Sequence, residues 1–184
     1  MKAYVHDGVA LLVALAVAAG LTALGPTEGW AQERQKIAWR APEANAKFTQ
    51  QLAIEVGDVP GHQVRVYELH RTFPSNPPMF DGVKVVEMWT RASTDFIDGN
   101  GRGGGYAVWV LENGDKIFSQ FDATAHTTAN PDGSKRTVGT QVYRLSGGTG
   151  KFAKIRGILR GTALVDLKAG RNEQQAEGEY WMEK

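Results

Sequence analysis

Residues 146–161 read SGGTGKFAKIRGILRG, a glycine-rich run with a lysine that has two readings, a phosphate cradle or a tight link between strands. A phosphate loop needs the spacing G-x-x-x-x-G-K-[ST], with a strand before it and a helix after it, so that backbone N–H groups and the helix N-terminus face the phosphates. Counted back from Gly150 and Lys151, the first glycine would stand at 145, where the chain has Leu145. The residue after the lysine would be Ser or Thr and is Phe152. The segment C-terminal to it, GILRGTALVD (157–166), alternates like a strand rather than a helix. Nucleotide binding fails on all three counts, and the run is read as a chain reversal. Its glycines permit positive φ and close backbone approach at no Cβ penalty, and its single aromatic, Phe152, is placed to plug one end of a sheet structure.

Outward from this turn the chain reads as strand after strand. HQVRVYELHRTF (62–73) alternates β-branched and aromatic residues, and PSNPP (74–78) stops it because proline cannot donate to a ladder. VKVVEMWTRASTDF (83–96) is the next run, then DGNGRGGG (98–105), read as a turn, then YAVWVLE (106–112). Asn113-Gly114 before DKIFSQFDATAHTT (115–128) is a strong hairpin signal, and NPDG (130–133) turns the chain into SKRTVGTQVYRLS (134–146). GILRGTALVD (157–166) and AEGEYWME (176–183) close the series. An eighth strand comes from FTQQLAIEVG (48–57), for which a short helix is the alternative, while 32–47 shows no convincing period and is read as an extended or partly helical arm. After residue 60 no stretch carries a helical apolar stripe. Short strands at hairpin spacing without crossover helices predict an all-β, antiparallel sheet, closed into an eight-stranded barrel over 48–184.

The segment GGTGKFAKIRG resembles the link between neighbouring strands in the allene oxide cyclase-like and dirigent-like β-barrels, G-G-T-G-x-F/Y-x-x-x-x-G, with Gly147, Gly148, Thr149, Gly150, Phe152 and Gly157 at its fixed places. The resemblance covers about a dozen residues, and elsewhere extends only to strand number and hairpin order. It implies a barrel with an apolar cavity in which a small reactive molecule is held, cyclised or coupled, in a dimer or trimer. The functional side chains of those families lie on other strands and find no match here, so no catalytic residue carries over.

The ends and the composition bound the setting. Lys2, the apolar GVALLVALAVAAGLTALG and the small-x-small ending around Trp30 form a secretory signal cut after Ala31, with an uncleaved membrane anchor as the alternative. Either way the folded part is exported, to a periplasm or beyond. The remaining residues fit one domain. The chain has 21 basic and 20 acidic residues and no cysteine, so no strong field steers it toward nucleic acid or anionic lipid and no disulfide staples it.

Candidate site residues emerge from strand alternation. On 83–95 the odd positions include Val85, Glu87, Trp89, Arg91 and Asp95, and the even ones Met88, Thr90 and Ala92. The odd face is either solvated or turned inward with Glu87 and Arg91 as paired polar anchors. The adopted reading is inward, with Glu68, Glu87, Trp89, Arg91 and Tyr106 as ligand-binding residues at the polar end of an apolar pocket. Glu68 and His70, two apart, point the same way, but Asp58, His62 and His126 are further ligands only by residue type. No metal and no cofactor are expected. Neither a G-x-S-x-G elbow nor an H-E-x-x-H motif is present. Tyr67, Tyr106, Tyr143, Tyr180 and Trp109 supply aromatic bodies with polar tips. Two functions remain: an exported barrel that binds, and at most isomerises or cyclises, a small hydrophobic molecule, or a non-catalytic module whose interior is filled by its own side chains. An internal volume of ~300 Å³ or more favours the first.

Overall fold

The computed structural model describes residues 33–41, 45–166 and 171–184, with Arg171 and Asn172 described by their backbone alone. The leader expected over 1–31 lies outside the described residues, and Gln32–Lys184 forms one compact unit. Ten strands run in chain order: β1 (Gln35–Ala41), β2 (Ala46–Glu55), β3 (His62–Thr72), β4 (Met79–Phe80), β5 (Val83–Ile97), β6 (Asn100–Leu111), β7 (Lys116–Ala129), β8 (Lys135–Gly148), β9 (Ile155–Asp166) and β10 (Arg171–Met182). They form one antiparallel sheet in the order β1-β10-β9-β8-β7-β6-β5-β3-β2, with β4 hydrogen-bonded to β5. The all-β, antiparallel expectation holds.

Three details correct the sequence reading. Residues 35–41 are not an arm but a strand, paired with β10 from Gln35↔Tyr180 to Ala41↔Gln174, whereas residues 48–57, read as a strand, do fall largely in strand β2. The sheet is not a closed eight-stranded barrel, since no ladder joins β1 to β2 among the described residues. DGNGRGGG is a turn only at Asp98-Gly99, where both φ values are positive, and Asn100–Gly105 belongs to β6. Those glycines serve close packing instead: a Cβ on Gly105 would lie 2.1 Å from the Arg91 carbonyl oxygen.

The sheet nevertheless rolls until its inner face meets itself. Register shifts at Val86 in β5, at Thr49 in β2 and at Ser146 in β8 insert an extra residue opposite one partner, and such bulges sharpen the bend and twist of a strand. Trp39 on β1 consequently packs edge-on against Phe73, just past β3, and against Trp109 on β6. Phe80 joins Trp109 and Tyr180. This aromatic layer, with Met88, Leu111, Ile117, Leu145, Ile155 and Leu159, is the core.

The glycine-rich turn between β8 and β9 closes this filled end. Gly147 and Gly150 have positive φ, and Gly150–Phe152 makes one 3-10 turn between the two strands. Phe152 is fully buried beneath it. The Lys116 backbone N–H donates to the Thr149 hydroxyl, which donates in turn to Asp115. The Lys151 ammonium is held 2.8 Å from an Asp81 carboxylate oxygen, and the Asp81 N–H donates to the Tyr180 hydroxyl.

Candidate functional site: a cavity at the open half of the rolled sheet

Inward-facing residues shrink from one end of the sheet to the other. Along β6 they run Leu111, Trp109, Ala107, Gly105, Gly103, and along β7 Ile117, Ser119, Phe121, Ala123, Ala125. On β8 the series is Leu145, Tyr143, Gln141, Gly139, and on β9 Ile155, Gly157, Leu159, Gly161, Ala163. Large side chains fill one half of the interior, and small ones leave the other half hollow. The result is a cavity of about 380 Å³ bounded by Tyr67, Phe121, Tyr143, Phe48, Phe96 and the alanines and glycines of these strands.

The floor of this cavity is polar. Tyr143 donates a 2.8 Å hydrogen bond to the Gln141 side-chain oxygen, and the Gln174 amide donates to both. Burial pushes the Tyr143 hydroxyl far above its ordinary value, so it stays protonated throughout the physiological range. Burial raises the Tyr67 hydroxyl as well, against a smaller opposing effect of Arg65. Thr90 from β5 and Arg71 from β3 complete the floor, both buried. Arg71 is only 2 % exposed, and its Nε and one terminal nitrogen have no hydrogen-bond acceptor. The cavity lining contains no Asp, Glu, His or Lys among the described residues.

The five residues expected to line a pocket stand elsewhere. Glu68, Glu87, Trp89, Arg91 and Tyr106 all lie on the outer face, since their alternates Met88, Thr90 and Ala92 are the buried ones. Sequence alternation was misleading because Val85 does point inward, and the bulge at Val86 then reverses the parity of everything after it. Nor do Glu87 and Arg91 pair with each other. Arg91 meets Glu68, its cross-strand neighbour, at 2.7 Å, and Glu87 meets His70 at 2.6 Å. Trp89 is shielded by the His70 ring stacked at 4.1 Å. Tyr106, the partner of Arg91 on β6, is 60 % exposed. The expected neighbourhood of Glu68, Arg91 and Tyr106 therefore exists, as a shallow external groove shared with Leu52 and Val66.

What the sequence reading missed is Arg71. Its signal was present, because Tyr67, Leu69 and Phe73 mark the odd face of 62–73 as apolar and leave Arg71 as a charge between Leu69 and Phe73, with Arg65 at the other end of the same face. A second polar cluster sits at the open end, where His62 is bridged to Asp58 at 2.6 Å and Asp95 at 2.7 Å. Its two ring nitrogens face different carboxylates, and the described residues contain no group of three or more His, Asp or Glu arranged to hold a metal ion. Comparison with known proteins found no family, no curated protein and no solved structure that matches the chain.

Proposed function

We propose that the protein binds a small hydrophobic molecule inside the rolled sheet. The observation that carries this reading is the cavity of about 380 Å³, which lies within the range of small-molecule sites, ~300–1,000 Å³, and combines an apolar wall with a few convergent polar groups. A module filled by its own side chains would show the packing of the Trp39–Trp109 half throughout. Binding is preferred to catalysis, because a lining without carboxylate or imidazole offers nothing that exchanges a proton near neutral pH. Any cyclisation or isomerisation would come from shape and hydrogen bonding alone.

On this reading the sheet serves as a barrel does, with edge strands β1 and β2 flanking its seam, and the likeness to the allene oxide cyclase-like and dirigent-like proteins rests on the Gly147–Gly157 segment. Export completes the proposal, with the mature chain beginning at Gln32 outside the cytoplasm, and intact-mass measurement of the exported protein tests it. Self-association into a dimer or trimer has its own support in an outer face that exposes Leu52, Ile54, Val64, Val66 and Tyr106 beside the open edge of β2, a patch that light scattering coupled to gel filtration would show covered or free. Native mass spectrometry of protein purified from its own cells tests the central reading. A retained small apolar molecule supports it, and failure of the purified protein to take up any apolar probe overturns it.

A further inference from the structure

Among the described residues Arg71 is the one charged side chain on the cavity floor, and the floor supplies it no counter-charge. A guanidinium remains protonated in proteins, and a charge taken out of water is tolerated where it is paired or fully hydrogen-bonded. Yet Nε and one terminal nitrogen of Arg71 have no acceptor, and Tyr143, which interacts with it electrostatically, shares the cavity lining with the neutral Gln174, Gln141 and Thr90. The Tyr143 hydroxyl is already committed to Gln141 and Gln174. Burial pulls the Arg71 pKa down, with Tyr143 acting the other way, which is the direction for a cation held where water does not solvate it.

We propose that the cavity takes an apolar monocarboxylate, whose carboxylate group pairs with the Arg71 guanidinium and whose chain runs past Tyr67, Phe121 and Ala123 toward the open end. This deepens the proposal of a small hydrophobic ligand and rests on it. The planar fork of a guanidinium matches the two oxygens of a carboxylate. A single buried cation balances one negative charge, whereas a phosphate monoester brings nearly two. The other cation on the cavity wall, Arg65, stands six residues along the same strand, roughly 20 Å away, and cannot share one anionic head with Arg71. Between the floor and Arg65 the walls are aromatic rings, alanines, glycines and threonines, which suit an aliphatic or aromatic body.

Calorimetric titration of the full chain at neutral pH with decanoate, 1-decanol and inorganic phosphate tests this. Decanoate is expected to bind about tenfold or more tightly than decanol, as for a charge-assisted hydrogen-bonded pair, and phosphate not measurably. Arg71→Met is expected to bring decanoate down to the level of decanol or below it, and to raise the melting temperature of the unliganded protein, because an unpaired buried charge is removed. Equal binding of decanoate and decanol by the wild-type protein, or a carboxylate preference that survives Arg71→Met, overturns the pairing while leaving the cavity reading intact. Phosphate binding as tight as decanoate overturns the choice of a carboxylate. Failure of both decanoate and decanol to bind overturns the cavity reading and this inference with it. Should Arg71→Met not fold, the wild-type comparison and Arg71→Gln decide.

Discussion

Glu87 and Arg91 show how far a strand separates residues that look adjacent in sequence. Four positions apart they lie roughly 13 Å from one another, so each finds its partner across the ladder, in His70 and Glu68. Arg91 is more than half exposed, and an exposed pair is worth ~0–1 kcal/mol. Urea unfolding of Glu87→Gln, Arg91→Met and the double variant should give losses of about 1 kcal/mol or less each, adding simply. Single losses of ~3–5 kcal/mol would instead indicate a buried pair. His62 carries a different expectation. Hydrogen bonds to Asp95 and then Asp58 raise its pKa above the usual ~6.5, while the Val59 N–H and then His62 lower that of Asp58. A raised folded-state pKa means stability that is fully present below ~6.5 and lost as pH rises through the higher folded value. NMR titration should place the His62 ring above 6.5, and His62→Gln should remove part of the fall in urea midpoint across that window.

At the scale of elements, the Gly147–Gly157 link and the bulge at Val86 do opposite things to legibility. The link is local: positive φ at Gly147 and Gly150 and the burial of Phe152 arise from residues within a few positions of each other. A side chain at Gly148 would place its Cβ 2.3 Å from the Lys116 carbonyl oxygen, so Gly148→Val should destabilise by ~1–3 kcal/mol, as over-packing does. Phe152→Ala, which empties the plug, should cost about 3–5 kcal/mol. ATP should leave the melting temperature of the wild-type protein unchanged, and a rise would restore the phosphate-loop reading. The bulge has no such signature. VKVVEMW alternates acceptably in either register, and only pairing with β6, Val85↔Leu111 and then Glu87↔Val110, inserts Val86 and turns Trp89 outward.

Across the whole molecule, the interior divides into a filled half and a hollow half, and substitutions of one kind should behave oppositely in the two. Ala107 is fully buried among large side chains, so Ala107→Leu should destabilise by ~1–3 kcal/mol. Ala123 faces the cavity. Ala123→Leu should fold with a melting temperature equal to or above that of wild type and lose calorimetric binding of decanol. Unchanged decanol affinity in Ala123→Leu would place the ligand somewhere other than this cavity.

The amino-acid sequence carries the all-β class, the hairpin order from β5 to β10 and the tight turn before β9, because each depends on alternation, on Gly, Asn and Asp in turns, or on proline, all readable within a dozen residues. It held the size gradient that makes the cavity as well, written in GRGGGYAVWV and FDATAH. Tertiary structure alone decided which face of each strand is inside, since a one-residue bulge inverts that face without altering composition. It decided the partner of β1, whose weak alternation becomes a strand only when β10 supplies the ladder. It also decided the cavity, because Arg71, Thr90, Tyr143 and Gln174 come from four different strands whose inner faces meet only when the sheet rolls.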